Sequence, residues 1–214
     1  MTNERIIWDK LIAAGLHAAG AAGLMGNLKA ESNLDPTNLQ NTFERKLGYT
    51  DATYTAAVDS GKYTNFAHDA AGYGLAQWTY RTRKAALLAF AKERGTSIGD
   101  LGMQIDFLVQ ELRESYPAVW ALLCTTADVK AASDVVLLQF ERPADMSERV
   151  KTVRASFGAE IFARLKNTPG EGVSGGGEEV LPNPPMPEPE TPQEIITGEL
   201  CIGGVWFDVT GVRR

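Results

Sequence analysis

The chain has 214 residues, 44% of them hydrophobic, enough for one substantial domain or two small ones without covalent staples. No run approaches the roughly 18 apolar residues of a membrane span, and a membrane partner is not expected. The formal net charge of −6 falls entirely after Asn167, where eight acids face two arginines against 19 of each sign before it, so the main segment has no basic excess to hold nucleic acid.

Met1 to Asp9 sets Glu4 and Arg5 beside Ile6, Ile7 and Trp8, without the basic region and apolar run of a secretory leader. Ile6, Ile7, Trp8, Leu11 and Ile12 predict a first helix ending at Gly15. Ala18 to Ser32 predicts a second, rich in small residues and able to pack closely. Residues 41 to 70 are polar and irregular and read as loops. Residues 72 to 80, GYGLAQWTY, are the strand candidate, a short β-hairpin. Arg81 to Arg94 is a third helix, with Leu87, Leu88 and Ala91 inward and Gly95 as its stop. Asp100 to Ser115 continues with Leu101, Ile105, Leu108 and Leu112 at helical spacing. Val129 to Phe140 is apolar nearly all round and reads as a central buried helix. Asp145 reads as the N-cap of a last helix, with Glu148 three residues on.

Composition changes near Asn167. Seven of the ten prolines lie between Pro169 and Pro192, in a Gly/Pro-rich acidic stretch, so residues 168–194 read as a linker after a main domain over 1–167. Residues 195–214 carry two apolar runs, Leu200-Cys201-Ile202 and Val205-Trp206-Phe207, around Gly203-Gly204, the pattern of a tight hairpin. A lone hairpin is marginal in water, so self-association or docking on a partner through Trp206 and Phe207 is one expectation for it.

Cys124 and Cys201 read as two thiols, with one long-range disulfide as the alternative. His17 and His68 form no motif with Cys, Asp or Glu, so neither a metal site, nor a Cys-His nucleophile, nor a cofactor is expected. That disfavours an amidase or peptidase.

Three stretches carry chemistry. The first is GLMGNLKAESNLDP at 23–36. Pro36 disfavours helix at Asp35 and Asn33 tolerates a left-handed cap, so Glu31 falls in the last helical turn, on a face shared with Leu24, Asn27 and Leu28. The negative end of the helix dipole and partial loss of water both disfavour a charge there, which suits a general acid. A lone Glu at a helix end is more often a solvated surface residue. The second stretch is GYGLAQWTY at 72–80. Extended, it puts Tyr73, Leu75, Gln77 and Thr79 on one face. Tyr73, Gln77 and Trp78 suit a sugar, through ring faces and amide hydrogen bonds; aromatics filling the core are the competing reading. The third is QFERP at 139–143, where Pro143 ends the buried helix, and either Glu141 and Arg142 form ion pairs that fix the turn or Glu141 orients a groove residue.

Taken in this order, the three stretches resemble the phage tail lysozyme family over roughly residues 5 to 167. Members of that family look like goose-type lysozymes and lytic transglycosylases. The resemblance implies a mainly α (α+β), lysozyme-like helical domain cut by a groove, and an enzyme that degrades bacterial peptidoglycan. It places the family's catalytic acid on Glu31 and puts Tyr73, Gln77 and Trp78, with Asn27 and Glu141, near the glycan. The stretch from Asn41 to Asp69 would rim the groove, and Asp69, just before the hairpin, is the candidate second carboxylate. Such a protein would be made in the host cytoplasm and act on the wall as a released lysin or a virion part. The alternative function is a non-catalytic wall-binding or structural phage module that keeps the fold.

Overall fold

The computed structural model describes residues 1–167, together with the backbone of 195–202 and 205–212. The first of these segments is mainly helical. It contains α1 (Asn3–Ala13), α2 (Ala18–Ser32), α3 (Asn41–Leu47), α4 (Asp51–Asp59), α5 (Arg81–Glu93), α6 (Leu101–Ser115), α7 (Pro117–Thr125), α8 (Val129–Val135), a π-helical turn (Val136–Glu141) and α9 (Glu148–Leu165). None of these helices is long and apolar enough to cross a membrane.

Helix α2 is the hub. Every residue from Ala19 to Leu28 is buried. Leu24, Met25 and Leu28 are fully removed from water, each side chain contributing about 1.5–3 kcal/mol to the core. Its glycines let backbones meet. A Cβ on Gly23 would lie 2.4 Å from Ala132 Cβ in α8, and one on Gly26 would lie 2.4 Å from Arg154 O in α9. Helices α8 and α9 therefore pack on α2 at a separation that no larger residue permits. The helix ends as its sequence dictates: Asn33 takes a left-handed cap (φ 53°) and donates its N–H to Lys29 O at 2.9 Å, ahead of Pro36.

Several expectations are corrected. Residues 41–70 are not mainly loop, because they hold α3 and α4. Thr50 and Thr53 form a reciprocal capping box on α4, and Tyr54, Thr55, Ala57 and Val58 give it a buried face. Helix α7 begins with Pro117 at its first position, which costs no hydrogen bond there. The expected helix over Val129–Phe140 changes to π geometry at Val136, closed by an Arg142 N–H to Leu137 O bond of 2.9 Å. The N-cap of α9 is Ser147 rather than Asp145, whose Oδ1 accepts from Ser147 N at 2.9 Å. Residues 72–80 make a tight turn closed by one antiparallel pair, Tyr73 opposite Trp78, and Leu39 pairs with Tyr73 from the other side.

The backbone of β1 (Ile195–Ile202) pairs antiparallel with that of β2 (Val205–Val212), with Ile195 opposite Val212 and Ile202 opposite Val205. The expected linker at 168–194, the Gly203-Gly204 turn and the Trp206, Phe207 and Cys201 side chains lie outside the described residues. Cys124 is a half-buried free thiol.

Candidate active site

The C-terminal turn of α2 opens onto a groove of about 680 Å3. Its wall includes Glu31 from α2, Phe43 from α3, Gln77 and Tyr80 from the 72–80 turn, Arg83 from α5, and Glu141 from the π-helical turn. A more open depression of about 830 Å3 lies remote from Glu31, between α1 and α6. Its Lys10 and Arg94 are both paired with Asp106, and neither Glu31 nor any residue of the 72–80 turn lines it.

Glu31 is held rather than free. Arg154 from α9 donates through one Nη to Glu31 Oε1 at 2.5 Å and through the other to Asn27 Oδ1 at 3.3 Å. The side chains of Arg154 and Glu31 are 10% and 19% exposed, so the pair is screened from water on most sides yet still reaches the groove. Asn27 is fully buried and does not touch the groove. Its Nδ2 donates to Gly23 O at 3.0 Å and to Ser133 O and Oγ at 3.1 Å each, leaving Oδ1 to receive Arg154. It thus positions the arginine that positions Glu31, which corrects its expected contact with the glycan.

Ser32, next to Glu31, ties α2 to the opposite wall by donating to Leu75 O at 2.9 Å. Gln104 of α6 completes that tie. Its Oε1 accepts from Leu75 N at 2.9 Å, and its Nε2 donates to Pro36 O at 2.7 Å and Ile98 O at 2.6 Å. The 72–80 turn is therefore anchored at its backbone, and its side chains sort by space. Gln77 adopts φ 43°, lines the groove and donates to Asn38 Oδ1 at 2.8 Å. Tyr73 and Trp78 point inward with no exposed surface. The Tyr73 hydroxyl bonds the Thr55 hydroxyl at 2.6 Å, and Trp78 Nε1 donates to Glu111 Oε2 at 3.0 Å. Neither ring can be a sugar platform. The expectation failed because it assumed an extended strand with alternating faces, whereas the segment is a turn.

Asp69 is likewise corrected as the second groove carboxylate. It is fully buried. Its Oδ1 receives Lys84 Nζ at 2.5 Å and Ala71 N at 3.0 Å, and its Oδ2 receives the hydroxyls of Tyr54 and Tyr63. Burial draws the Lys84 ammonium below its ordinary value, against the pull of Asp69. Burial and then the Asp69 charge push the Tyr63 phenol up to about 12. This cluster braces α4 and α5 against the turn and has no access to substrate.

The carboxyl that does share the groove with Glu31 is Glu141. Its Oε1 is sealed from solvent and meets no donor, although the residue as a whole is half-buried, so the expected turn-fixing ion pair is not what holds it. Burial, and after it the Glu31 charge, pushes its carboxyl up to about 8. The group kept protonated near neutrality by its surroundings is therefore here. Beside it, Arg83 makes a two-point ion pair with Glu111 at 2.6 and 2.8 Å and lies over the Phe140 ring at 4.6 Å.

Backbone conformations that L-residues rarely adopt gather at this site. Asn33, Leu34, Ala70, Gln77 and Arg142 have positive φ, and Ala70 and Gln77 line the groove while Arg142 follows Glu141. Such conformations persist where surrounding structure holds them, as functional sites often do.

Sequence reasoning missed Arg154, Tyr80, Phe43 and Arg83. Arg154 had a signal: it shares a helical face with Gly158 and Ile161, both buried, and an arginine on an apolar face needs a partner. Tyr80 is 69% exposed and Phe43 lies in a stretch read as loop, so nothing local marked either.

The profile of the phage tail lysozyme family matches residues 2–165. The chain belongs to the phage tail lysozyme family. No curated protein matches it. Membership makes this phage tail lysozyme a glycoside-hydrolase-type enzyme with peptidoglycan as its substrate class. Among its described residues no group of three or more His, Cys, Asp or Glu could hold a metal ion.

Proposed function

We propose that this phage tail lysozyme is a muramidase that cuts peptidoglycan glycan strands in the groove, with Glu31 delivering the proton to the glycosidic oxygen. The observation that carries the reading is the position of Glu31. A largely desolvated carboxyl sits at the wall of a groove of about 680 Å3, fixed by Arg154, within the 23–36 stretch whose resemblance to the family implies its acid at Glu31. Tyr80 and Phe43 offer ring faces to apolar sugar surfaces, and Gln77 offers an amide to their hydroxyls or acetamido groups. The main segment has no net charge, so shape and these contacts rather than long-range attraction select the strand. The protein acts on the cell wall, as a released lysin or as part of the virion.

Proton transfer from a positioned acid contributes about 100- to 10,000-fold. Glu31→Gln keeps the size and removes the proton, so it should fold normally and lose turnover of purified cell walls to that extent. Reduction of the digestion products and mass spectrometry of the new terminal sugar test the bond. A reduced muramic acid derivative supports the muramidase reading, whereas a reduced glucosamine or an anhydro sugar replaces it with a glucosaminidase or a lytic transglycosylase. Full activity in Glu31→Gln would remove Glu31 from catalysis.

One observation favours a second reading. The Glu31–Arg154 ion pair at 2.5 Å is what a module that keeps the fold without turnover would also have. Such a module would co-sediment with walls and release no reducing ends.

A further inference from the structure

The reading above leaves the second groove carboxyl without a task. Glu141 lines the same groove as Glu31, carried there by the π-helical turn that ends on it. The charged groups around it come from four elements, and each is already engaged. Arg154 of α9 serves Glu31 and Asn27. Arg83 of α5 gives its Nε and one Nη to Glu111 of α6, which also accepts from Trp78. Tyr116, at the start of α7, packs edge-on against Phe140, with ring centres 5.0 Å apart. A negative charge on Glu141 would thus have a sealed oxygen without a donor, while Glu31 of α2 keeps a direct ion pair. With two carboxyls in one groove and one counter-ion committed to Glu31, the proton belongs on Glu141.

We infer that Glu31 and Glu141 act as a carboxyl pair, in which Glu141 keeps the catalytic proton in the resting groove and passes it to Glu31 when substrate is bound. This rests on the assignment of Glu31 as the delivering acid. The proton leaves the Glu141 hydroxyl for the Glu31 carboxylate. Glu31 then protonates the glycosidic oxygen, and the C–O bond breaks with its electron pair going to that oxygen. Water adds to the sugar cation, and the proton it releases returns through the Glu31 carboxylate to Glu141. The net change is one water added across the bond, and the pair is reset. The upward push on Glu141 from burial and from Glu31 agrees with this order, against the downward pulls of Arg83 and Arg154 and with a smaller push from Glu111. Two groups that share a proton titrate as a pair, so the pH profile carries the signature. Glu141 acts through Glu31 and is a positioning residue.

The test measures kcat and KM of the full-length protein on soluble peptidoglycan fragments between about pH 5 and about pH 9, spanning the pair's titration. For the unaltered protein kcat should hold to about pH 8 and then fall. Glu141→Gln should lower kcat at neutrality by about tenfold or more, leave KM within about twofold, and move the fall at least about one unit toward acid. Glu31→Gln should be inactive throughout. An unshifted profile in Glu141→Gln, or an effect on KM alone, overturns the pair even when Glu31→Gln is dead. Activity retained in Glu31→Gln instead overturns the assignment on which the pair rests. Should Glu141→Gln fail to fold, carbon NMR titration of glutamate side chains in the unaltered protein decides the matter. An upper step near pH 8 at Glu141 supports the pair, and both carboxyls titrating below about pH 5.5 refutes it.

Discussion

Adding one methyl group at Gly26 tests whether helix packing sets the geometry of the acid. A Cβ there would stand 2.4 Å from Arg154 O and 2.7 Å from Gly158 N, both backbone atoms of α9. Ordinary contact begins at 3.4 Å, so α2 and α9 must part locally by about 1 Å. Neither atom is the tip of a flexible side chain, so the strain cannot be relieved by a rotamer change. Alanine gains about 1 kcal/mol of helix propensity over glycine, and overpacking against unyielding backbone costs about 2–3 kcal/mol, the upper part of the usual range, so the net is a loss of about 1–2 kcal/mol. For a domain of this size that lowers Tm by about 2–8 °C. The larger effect is on rate. Arg154 rides on the displaced backbone and carries Glu31 with it, and a misplacement of about 1 Å costs about 100-fold. Thermal denaturation and peptidoglycan turnover measure the two effects. Gly102→Ala in α6 is the control, because the nearest atom to its Cβ is a side-chain oxygen at 3.3 Å. Should Gly26→Ala keep the parent Tm and rate, or lose no more than the control, close packing of α2 on α9 does not set the site.

Lys84→Met would leave the buried Asp69 carboxylate with its tyrosine and backbone donors but no counter-ion. Chemical denaturation should show a loss of about 3–5 kcal/mol, and a change under about 1 kcal/mol would show that Asp69 does not need the ammonium. Tyr80→Ala removes the most exposed ring of the groove without touching the core. Stability should stay within about 0.5 kcal/mol while KM for glycan rises several-fold, and an unchanged KM would take Tyr80 out of sugar binding.

What the sequence determined by itself is what short-range forces decide. The stop of α2 at Ser32 follows from Asn33 and Pro36, and α5 and α6 follow from their periodicity and caps. With α2 fixed, Glu31 necessarily falls in its last turn. The family was legible for the same reason, since its motifs are local strings. Burial and pairing were not legible, because they depend on which distant segment arrives. Asp69 adjoins the groove-lining turn in sequence, but Lys84, 15 residues on, draws it inward. Glu31 gains its partner from Arg154, 123 residues away. Gln77 faces the groove and its neighbours Tyr73 and Trp78 face the core because a left-handed residue turns the chain, where an extended strand would have alternated. Only the folded arrangement brings Glu141 beside Glu31, and it leaves that one carboxyl oxygen in a dry place without a donor.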